Sequence, residues 1–390
     1  MRHRGAAALL ASMLARGLAA GELRGSVSVE SRAFAQRSAE PSQLRASASL
    51  ALEPEYRWRW DQQRLVAAAF LRLEDGDSRR SHFDLRELYW MHTGSRWEWS
   101  LGLRRVHWGV AEAQHLVDVI NQTDLVEDPD GEDKLGQPMA SVALTGRRGR
   151  GELYLLPFFR ERTFPGSNGR LRSRPSVSSG PALYDSPSGR HHLDWAARWS
   201  HHLGPCDLGL SYFSGTSREP SFIPAADGRA LRPVYHFGRQ AAVDAQVTTG
   251  PLLTKLEVLA RWEGSRGFSA GTVGFEYTFA GVGGRGADVG ALAEYLYDSR
   301  GAGARSPYQN DLFAGLRLAL NDVQGTELLA GVVTDLGTGA AFLNLEASRR
   351  IGGRWRLATV IRGFGAIPDE DPWFALRRDS YAQLELRRHF

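Results

Sequence analysis

The chain has 390 residues, of which 42% are hydrophobic, and a mean hydropathy of −0.34. No run of eighteen apolar residues occurs in it, which excludes membrane-spanning helices. Its formal charge of +4 rests almost wholly on arginine, since Lys134 and Lys255 are the only lysines. A single cysteine, Cys206, excludes an internal disulfide, a thiol redox pair and a cysteine metal cluster.

The first residues read as a secretory signal over 1–21. Arg2, His3 and Arg4 form a basic start, Ala6–Ala20 is an Ala/Leu-rich stretch interrupted by Arg16, and Ala19, Ala20 and Gly21 permit cleavage. The remainder, 22–390, shows no Pro-rich linker and no low-complexity tract, and is expected to be one domain.

From Leu44 onward the side chains alternate. Leu44, Ala46, Ala48, Leu50, Leu52, Tyr56, Trp58 and Trp60 share one parity, and Arg45, Ser47, Ser49, Glu53, Glu55, Arg57 and Arg59 the other. A period of two over this length marks strands with one apolar and one polar face. The same alternation recurs in Arg64–Glu74, Arg96–Val106, Leu252–Glu263 and Arg354–Phe364. In Phe83–Met91 and Ala287–Asp298 both faces carry apolar residues, so no face is assigned.

Connections alternate too. Tight ones such as Asp61–Gln63, Thr93–Ser95, Arg148–Gly149, Gly204–Pro205, Thr249–Gly250 and Gly352–Gly353 are interleaved with long ones, above all 107–137, 161–190 and 215–233. Short turns on one rim and long loops on the other are how outer-membrane barrels are built, and a barrel with one lipid-facing side keeps a polar average. The expectation is therefore an all-β, transmembrane, antiparallel up-and-down barrel of about 18 strands (16–18), with short periplasmic turns and long extracellular loops.

The C-terminus, Tyr381-Ala-Gln-Leu-Glu-Leu-Arg-Arg-His-Phe390, places Leu384, Leu386 and a final Phe390 at alternate positions. It resembles the closing strand that Gram-negative barrels present to their insertion machinery, although Arg388 stands where that pattern has an aromatic or aliphatic residue. The run His82-Phe-Asp-Leu-Arg-Glu-Leu-Tyr-Trp90 also looks like porin-type barrels, including the alginate-export type. The resemblance implies residence in the outer membrane, with its lipid and lipopolysaccharide and the barrel-assembly machinery as partners. Both monomer and trimer stay open.

On this face assignment Arg45, Arg57, Arg59, Arg64, Arg72, Arg104, Arg198, Arg261, Arg317, Arg354, Arg356, Arg362 and Arg387 point into the lumen, together with acids such as Glu53, Glu98, Glu257, Glu276 and Glu346. Fixed positive charge in a pore favours anions, whereas a mutually neutralising ladder would only keep the lumen wet. The long 107–137 segment, if it folds inward, sets Asp118, Asn121, Asp124 and Glu127 against the arginines as a constriction. An external loop is the alternative. Within it, Asp128, Asp130 and Asp133 offer oxygens to calcium at a spacing too short for an EF-hand loop, with a solvated acidic turn as the simpler reading.

No catalytic residue and no cofactor is expected. The pairs His191-His192 and His201-His202 lack metal-ligand spacing, no Gly-x-Ser-x-Gly elbow occurs, and Gly281–Gly286 precedes no helix. Positive charges alternate with acids along strands rather than clustering, which argues against nucleic acid. The reading is a channel for passive diffusion of small hydrophilic, anionic solutes through an Arg-lined lumen. Its alternatives are export of an acidic polymer, or a structural or adhesive barrel that does not conduct.

Overall fold

The computed structural model describes residues 21–284 and 286–390. The expected signal segment lies outside them, Gly21 apart. The strands in chain order are β1 Glu22–Phe34, β2 Ala46–Trp60, β3 Gln63–Glu74, β4 His82–Thr93, β5 Trp97–Arg104, β6 Gln137–Gly146, β7 Gly149–Leu156, β8 Leu183–Tyr184, β9 Asp194–Leu203, β10 Cys206–Thr216 and β11 Ser221–Pro224. They continue as β12 Leu231–Tyr235, β13 Phe237–Thr249, β14 Leu252–Glu263, β15 Arg266–Val282, β16 Ala287–Asp298, β17 Asn310–Ala319, β18 Glu327–Asp335, β19 Ala341–Ile351, β20 Trp355–Gly365 and β21 Tyr381–His389.

Eighteen of these form one closed antiparallel sheet, in which β1 pairs with both β2 and β21. The closing seam ends where the Phe390 N–H donates to the Gly25 carbonyl at 3.0 Å and the Gly25 N–H donates back at 3.1 Å. Closure leaves no edge strand, the condition for a sheet to sit in hydrocarbon. The three short strands β8, β11 and β12 form a separate sheet in the long-loop region.

The start of β1 and the end of β21 lie on one rim, with the turns 61–62, 94–96, 147–148, 204–205, 250–251 and 352–354 and the β15–β16 connection. The opposite rim carries 35–45, 75–81, 105–136, 157–193, 217–236, 299–309 and 366–380. Three connections break the alternation: the tight 264–265 turn and the short 336–340 on the long-loop rim, and the longer 320–326 on the other.

Outward side chains are apolar along the strands, and aromatic residues collect near both rims. Trp97, Phe279 and Trp355 lie toward the short turns, and Phe83, Trp195, Trp262 and Tyr297 toward the long loops; all are exposed. Leu384, Leu386 and Phe390 also face outward, and Arg388 holds its outward place with its guanidinium 5.8 Å from the Trp355 ring.

Both ambiguous segments have physical causes. Between β3 and β4 the register jumps from Ala68 opposite Glu87 to Ala69 opposite Leu85, which leaves Arg86 as a bulge. The bulge switches the inward parity from Asp84 and Arg86 to Tyr89 and Met91, all buried. In β16, Leu292 and Leu296 point inward and are buried against Phe313, Leu171 and neighbouring rings. The wall is apolar on both faces there because chain, not water, fills the interior.

Candidate functional site

The filling comes chiefly from residues 105–136. Asn121 ties the two ends of this segment together. Its side-chain oxygen accepts from the Val106 N–H at 2.8 Å, and its amide donates to the carbonyls of Arg104 (2.9 Å) and Leu135 (2.8 Å). Between these ends the chain runs into the barrel and meets two walls of different chemistry.

The first half meets an apolar wall. Trp108, Val117, Val119 and Ile120 are buried against Met139, Tyr154, Leu156, Ala196, Phe213, Ala242, Leu259 and Ala270, which face inward from β6 to β15. The Arg198 guanidinium, 5.3 Å from the Trp108 ring, grips Asp244 with two bonds of 2.6 and 2.7 Å. Gly209 of the intervening β10 leaves room for that bridge, since a Cβ there would meet both charged groups.

Two wall carboxylates hold the backbone of this half. Glu257 on β14, fully buried, accepts from the N–H groups of Val110 (2.6 Å), Ala111 (2.9 Å) and Val117 (3.2 Å). Glu294 on β16 accepts from those of Glu112 and Ala113, both at 2.8 Å. Charge-assisted bonds of this kind are roughly twice as strong as neutral ones. Gly109 makes the approach possible: its φ is +119° and a Cβ would sit 2.6 Å from Glu257 Oε1.

The second half meets a basic wall. Arg86 reaches Asp124 at 2.6 Å, and Arg72 reaches Glu127 at 2.9 Å. Arg72 and Arg80 also clasp Glu30 of β1 at 3.0 and 2.8 Å. Arg362 of β20 meets Asp130 at 2.5 Å and Asp128 at 3.3 Å, and the Tyr381 hydroxyl donates to Asp128 at 3.2 Å. Asp118, from the first half, lies 3.6 Å from both His107 and Lys134. Asp118, Asn121, Asp124 and Glu127 are thus all buried in the barrel interior.

Asp128, Asp130 and Asp133 do not form a cation cage. Two of them turn to Arg362, and among the described residues no group of three or more acidic, His or Cys side chains is placed to hold a metal. Burial among other carboxylates pushes Asp133 up to about 7 and Asp130 up to about 8. Glu219 goes the other way. Burial would raise it, but the guanidinium groups of Arg261, Arg300 and Arg162 hold it at about 2.

The wall arginines are mostly engaged. Arg72 and Arg362 bind segment acids, Arg261 binds Gln240 and Glu219, and Arg317 binds Glu112 at 2.7 Å and Glu276 at 3.3 Å. Arg104 lies 5.5 Å from the Tyr89 ring and donates to Ser100, Arg57 pairs with Glu55, and Arg387 pairs with Glu53 and Glu385. Arg59 and Arg356 are exposed near the short-turn rim. Arg45 departs from its expected inward place. The sheet begins only at Ala46, and the Arg45 guanidinium bonds the rim carbonyls of Phe34 and Ala35.

Sequence reasoning did not single out Arg80, Arg86, Glu294 or Arg218. Arg86 was hidden by the bulge and Arg80 lies in a loop. Arg218 donates to the Ile120 carbonyl at 3.0 Å and to Asp194 at 3.2 Å. The available signal was Val117, Val119 and Ile120, too apolar for an exposed loop.

Three cavities surround the segment. A vestibule of about 710 Å³ lies between it and the outer loops, lined in part by Phe164, Phe222, Tyr308 and Trp373. A charged cavity of about 390 Å³ adjoins β1–β4 and β21, and one of about 250 Å³ adjoins β17–β20. Loops 157–193 and 366–380 meet above, where Arg170 is buried against Asp379 at 2.5 Å.

No protein-family profile and no curated protein matches the chain. Solved structures do. OccK8 (OprE) of Pseudomonas aeruginosa aligns with 95% of this chain and 98% of its own, at a TM-score of 0.55 and 12% identity. Wzi of Escherichia coli, described as a carbohydrate-binding β-barrel involved in group 1 capsule assembly, aligns over 96% and 86%, at 0.53 and 10%. A mutant porin of Rhodopseudomonas blastica aligns over 95% and 100%, at 0.45 and 11%. The fold is that of a porin-like outer-membrane barrel. Its closed sheet, apolar outer belt and two aromatic girdles place this barrel in the outer membrane, crossed by strands.

Proposed function

We propose that the barrel is a passive, narrowed channel for small hydrophilic solutes, entered from the long-loop side through a vestibule that gathers anionic ones. The observation that carries this reading is the 105–136 segment lying across the interior, with cavities of about 390 and 250 Å³ beside it instead of a wide bore. Volumes of this size suit small solutes. They argue against the export of a polymer, which would need the whole segment to leave.

Charge supports an anion preference at the entrance. Six cationic side chains (Lys134, Arg162, Arg172, Arg218, Arg261 and Arg305) line the vestibule against four acids (Asp118, Asp130, Glu132 and Glu219). Deeper in, the smaller cavity sets Arg362 against Glu112, Asp130, Glu132 and Glu346, which moderates that preference.

Planar-bilayer recording tests both parts. The expected result is a small conductance with an anion-selective reversal potential in a KCl gradient, and a several-fold larger conductance after deletion of 113–135. A cation-selective sign overturns the anion preference. Absence of conductance overturns the channel, and an unchanged value in a folded deletion overturns its narrowing by the segment.

One observation favours a second reading, a barrel that holds a carbohydrate at its mouth. Four aromatic rings (Phe164, Phe222, Tyr308 and Trp373) line the vestibule, where sugar faces stack well, and Wzi is described as a carbohydrate-binding barrel. Oligosaccharide binding by a protein without conductance would decide for it.

A further inference from the structure

From Ser221 on the vestibule wall runs a hydrogen-bonded chain that neither solute passage nor the seating of 105–136 uses. Ser221 Oγ lies 2.7 Å from His236 Nε2, and His236 Nδ1 lies 3.1 and 3.2 Å from the two carboxylate oxygens of Asp185. We propose that Ser221, His236 and Asp185 form a hydrolytic triad on the extracellular side of the barrel, acting on carboxylic esters that enter the vestibule.

The three residues stand at strand ends of the separate small sheet. β12 pairs in parallel with β8, Val234 opposite Leu183 and Tyr235 opposite Tyr184, so the next residues, His236 and Asp185, come out side by side. On its other edge β12 pairs with β11, Ser221 opposite Val234, two positions from His236. The backbone fixes this arrangement. The Asp185 N–H donates to the Tyr235 carbonyl at 3.1 Å, the Phe237 N–H donates to Asp185 Oδ2 at 3.2 Å, and the Ser217 N–H donates to the His236 carbonyl at 2.8 Å. A serine, a base within reach of it and a carboxylate orienting that base are the roles a triad requires, whatever the order along the chain.

Ser221 also lines the 710 Å³ vestibule, whose wall carries the apolar Phe222, Phe164 and Val177 and the cationic Arg172 and Arg305 as well. The apolar side chains suit an acyl chain, and the guanidinium groups supply positive potential for the negatively charged tetrahedral intermediate. In the first step Ser221 Oγ bonds to the ester carbonyl carbon while His236 Nε2 takes the hydroxyl proton. The carbon–oxygen ester bond breaks, and the departing alcohol oxygen takes that proton from His236. Water then attacks the acyl-serine, its proton passing through His236 back to Ser221 as the carboxylic acid leaves. Asp185 acts as a positioning residue, holding His236 with Nδ1–H toward itself.

The refolded full-length barrel is treated with a fluorescent fluorophosphonate and assayed with p-nitrophenyl butyrate. The expected result is covalent labelling at Ser221, ester hydrolysis lost in Ser221→Ala, and hydrolysis lowered about 10²-fold or more in His236→Asn. Heat-modifiable gel mobility, unchanged in both variants, confirms that the barrel is intact. An unlabelled Ser221, or hydrolysis by Ser221→Ala equal to that of the parent, overturns the proposal, and the chain is then only a clasp between loops. Either outcome leaves the channel reading to be decided by its own recordings.

Discussion

Residues 106–120 and residues 121–134 belong to one in-folded segment, yet different walls hold them by different forces. The first half buries Trp108, Val117 and Ile120 on inward-facing apolar side chains and hangs its N–H groups on Glu257 and Glu294. The second half buries Val126 as its one buried apolar side chain and sets Asp124, Glu127, Asp128 and Asp130 against Arg86, Arg72 and Arg362. Hydrophobic burial scales with area and carries no Coulombic screening by salt. A buried ion pair roughly balances its own desolvation, so it specifies position more than it stabilises, until one partner is removed.

That asymmetry sets the order of the expected effects of substitution. The largest effect is expected from Arg72→Met. It leaves the buried carboxylates of Glu30 and Glu127 short of a partner, a loss of about 3–5 kcal/mol for a broken buried pair. If the segment answers by leaving its seat, the high-conductance state becomes about 10²-fold or more commoner in single-channel records, at about 1.4 kcal/mol per decade. An unchanged open fraction would mean that the basic wall does not hold the segment. Next comes Ile120→Ala, at about 3 kcal/mol for a large-to-small change at a fully buried site. Its effect should be the same in 0.1 M and 1 M KCl, and a strong salt dependence would show that charge governs this half as well.

The barrel was legible in the sequence because lipid imposes a period of two on every strand, as in Leu44–Leu52 and Tyr381–Phe390. The segment's destination was less legible. Loop residues carry no such period, and the partners of Asp124, Glu127 and Asp130 lie on strands far away in sequence. Arg86, Leu292 and Leu296 show the limits of parity. A one-residue bulge reverses the face for everything after it, and an inward leucine looks misplaced until something apolar fills the lumen. The Ser221–His236–Asp185 chain was invisible for the same reason, since strand pairing alone brings its members together.

A smaller change sharpens the contrast within the first half. Glu257→Gln keeps an acceptor for Val110, Ala111 and Val117 but removes its charge. The difference between charged and neutral bonds suggests about 1–2 kcal/mol, read as a modest rise in open fraction. An effect as large as that of Arg72→Met would make backbone anchoring, not ion pairing, the main hold. Gly109→Ala, which presses a methyl group on the Glu257 carboxylate, should move the open fraction in the same direction.

The smallest effect concerns pH and belongs to the acidic half alone. Asp133 has an ordinary value near 3.8 when released and is held at about 7 when seated, raised by burial and by the nearby charges of Glu127, Asp128 and Asp124. Seating therefore takes up a proton. Its advantage is complete below the released value, falls as pH rises from about 4 and is gone above about 7. Open fraction should accordingly rise with pH across that window. Asp133 reaches the edge of the 390 Å³ cavity, whose water screens the neighbouring charges and keeps the slope well under tenfold per pH unit. Glu219, held at about 2, has its own window below about 4.5 and hardly interferes. Recording at pH 4.5, 6 and 7.5 should give a rising open fraction in the parent and a flatter one in Asp133→Asn. Equal slopes would remove Asp133 from the account and leave Asp130, held at about 8 beside Arg362, as the group whose titration loosens the acidic half.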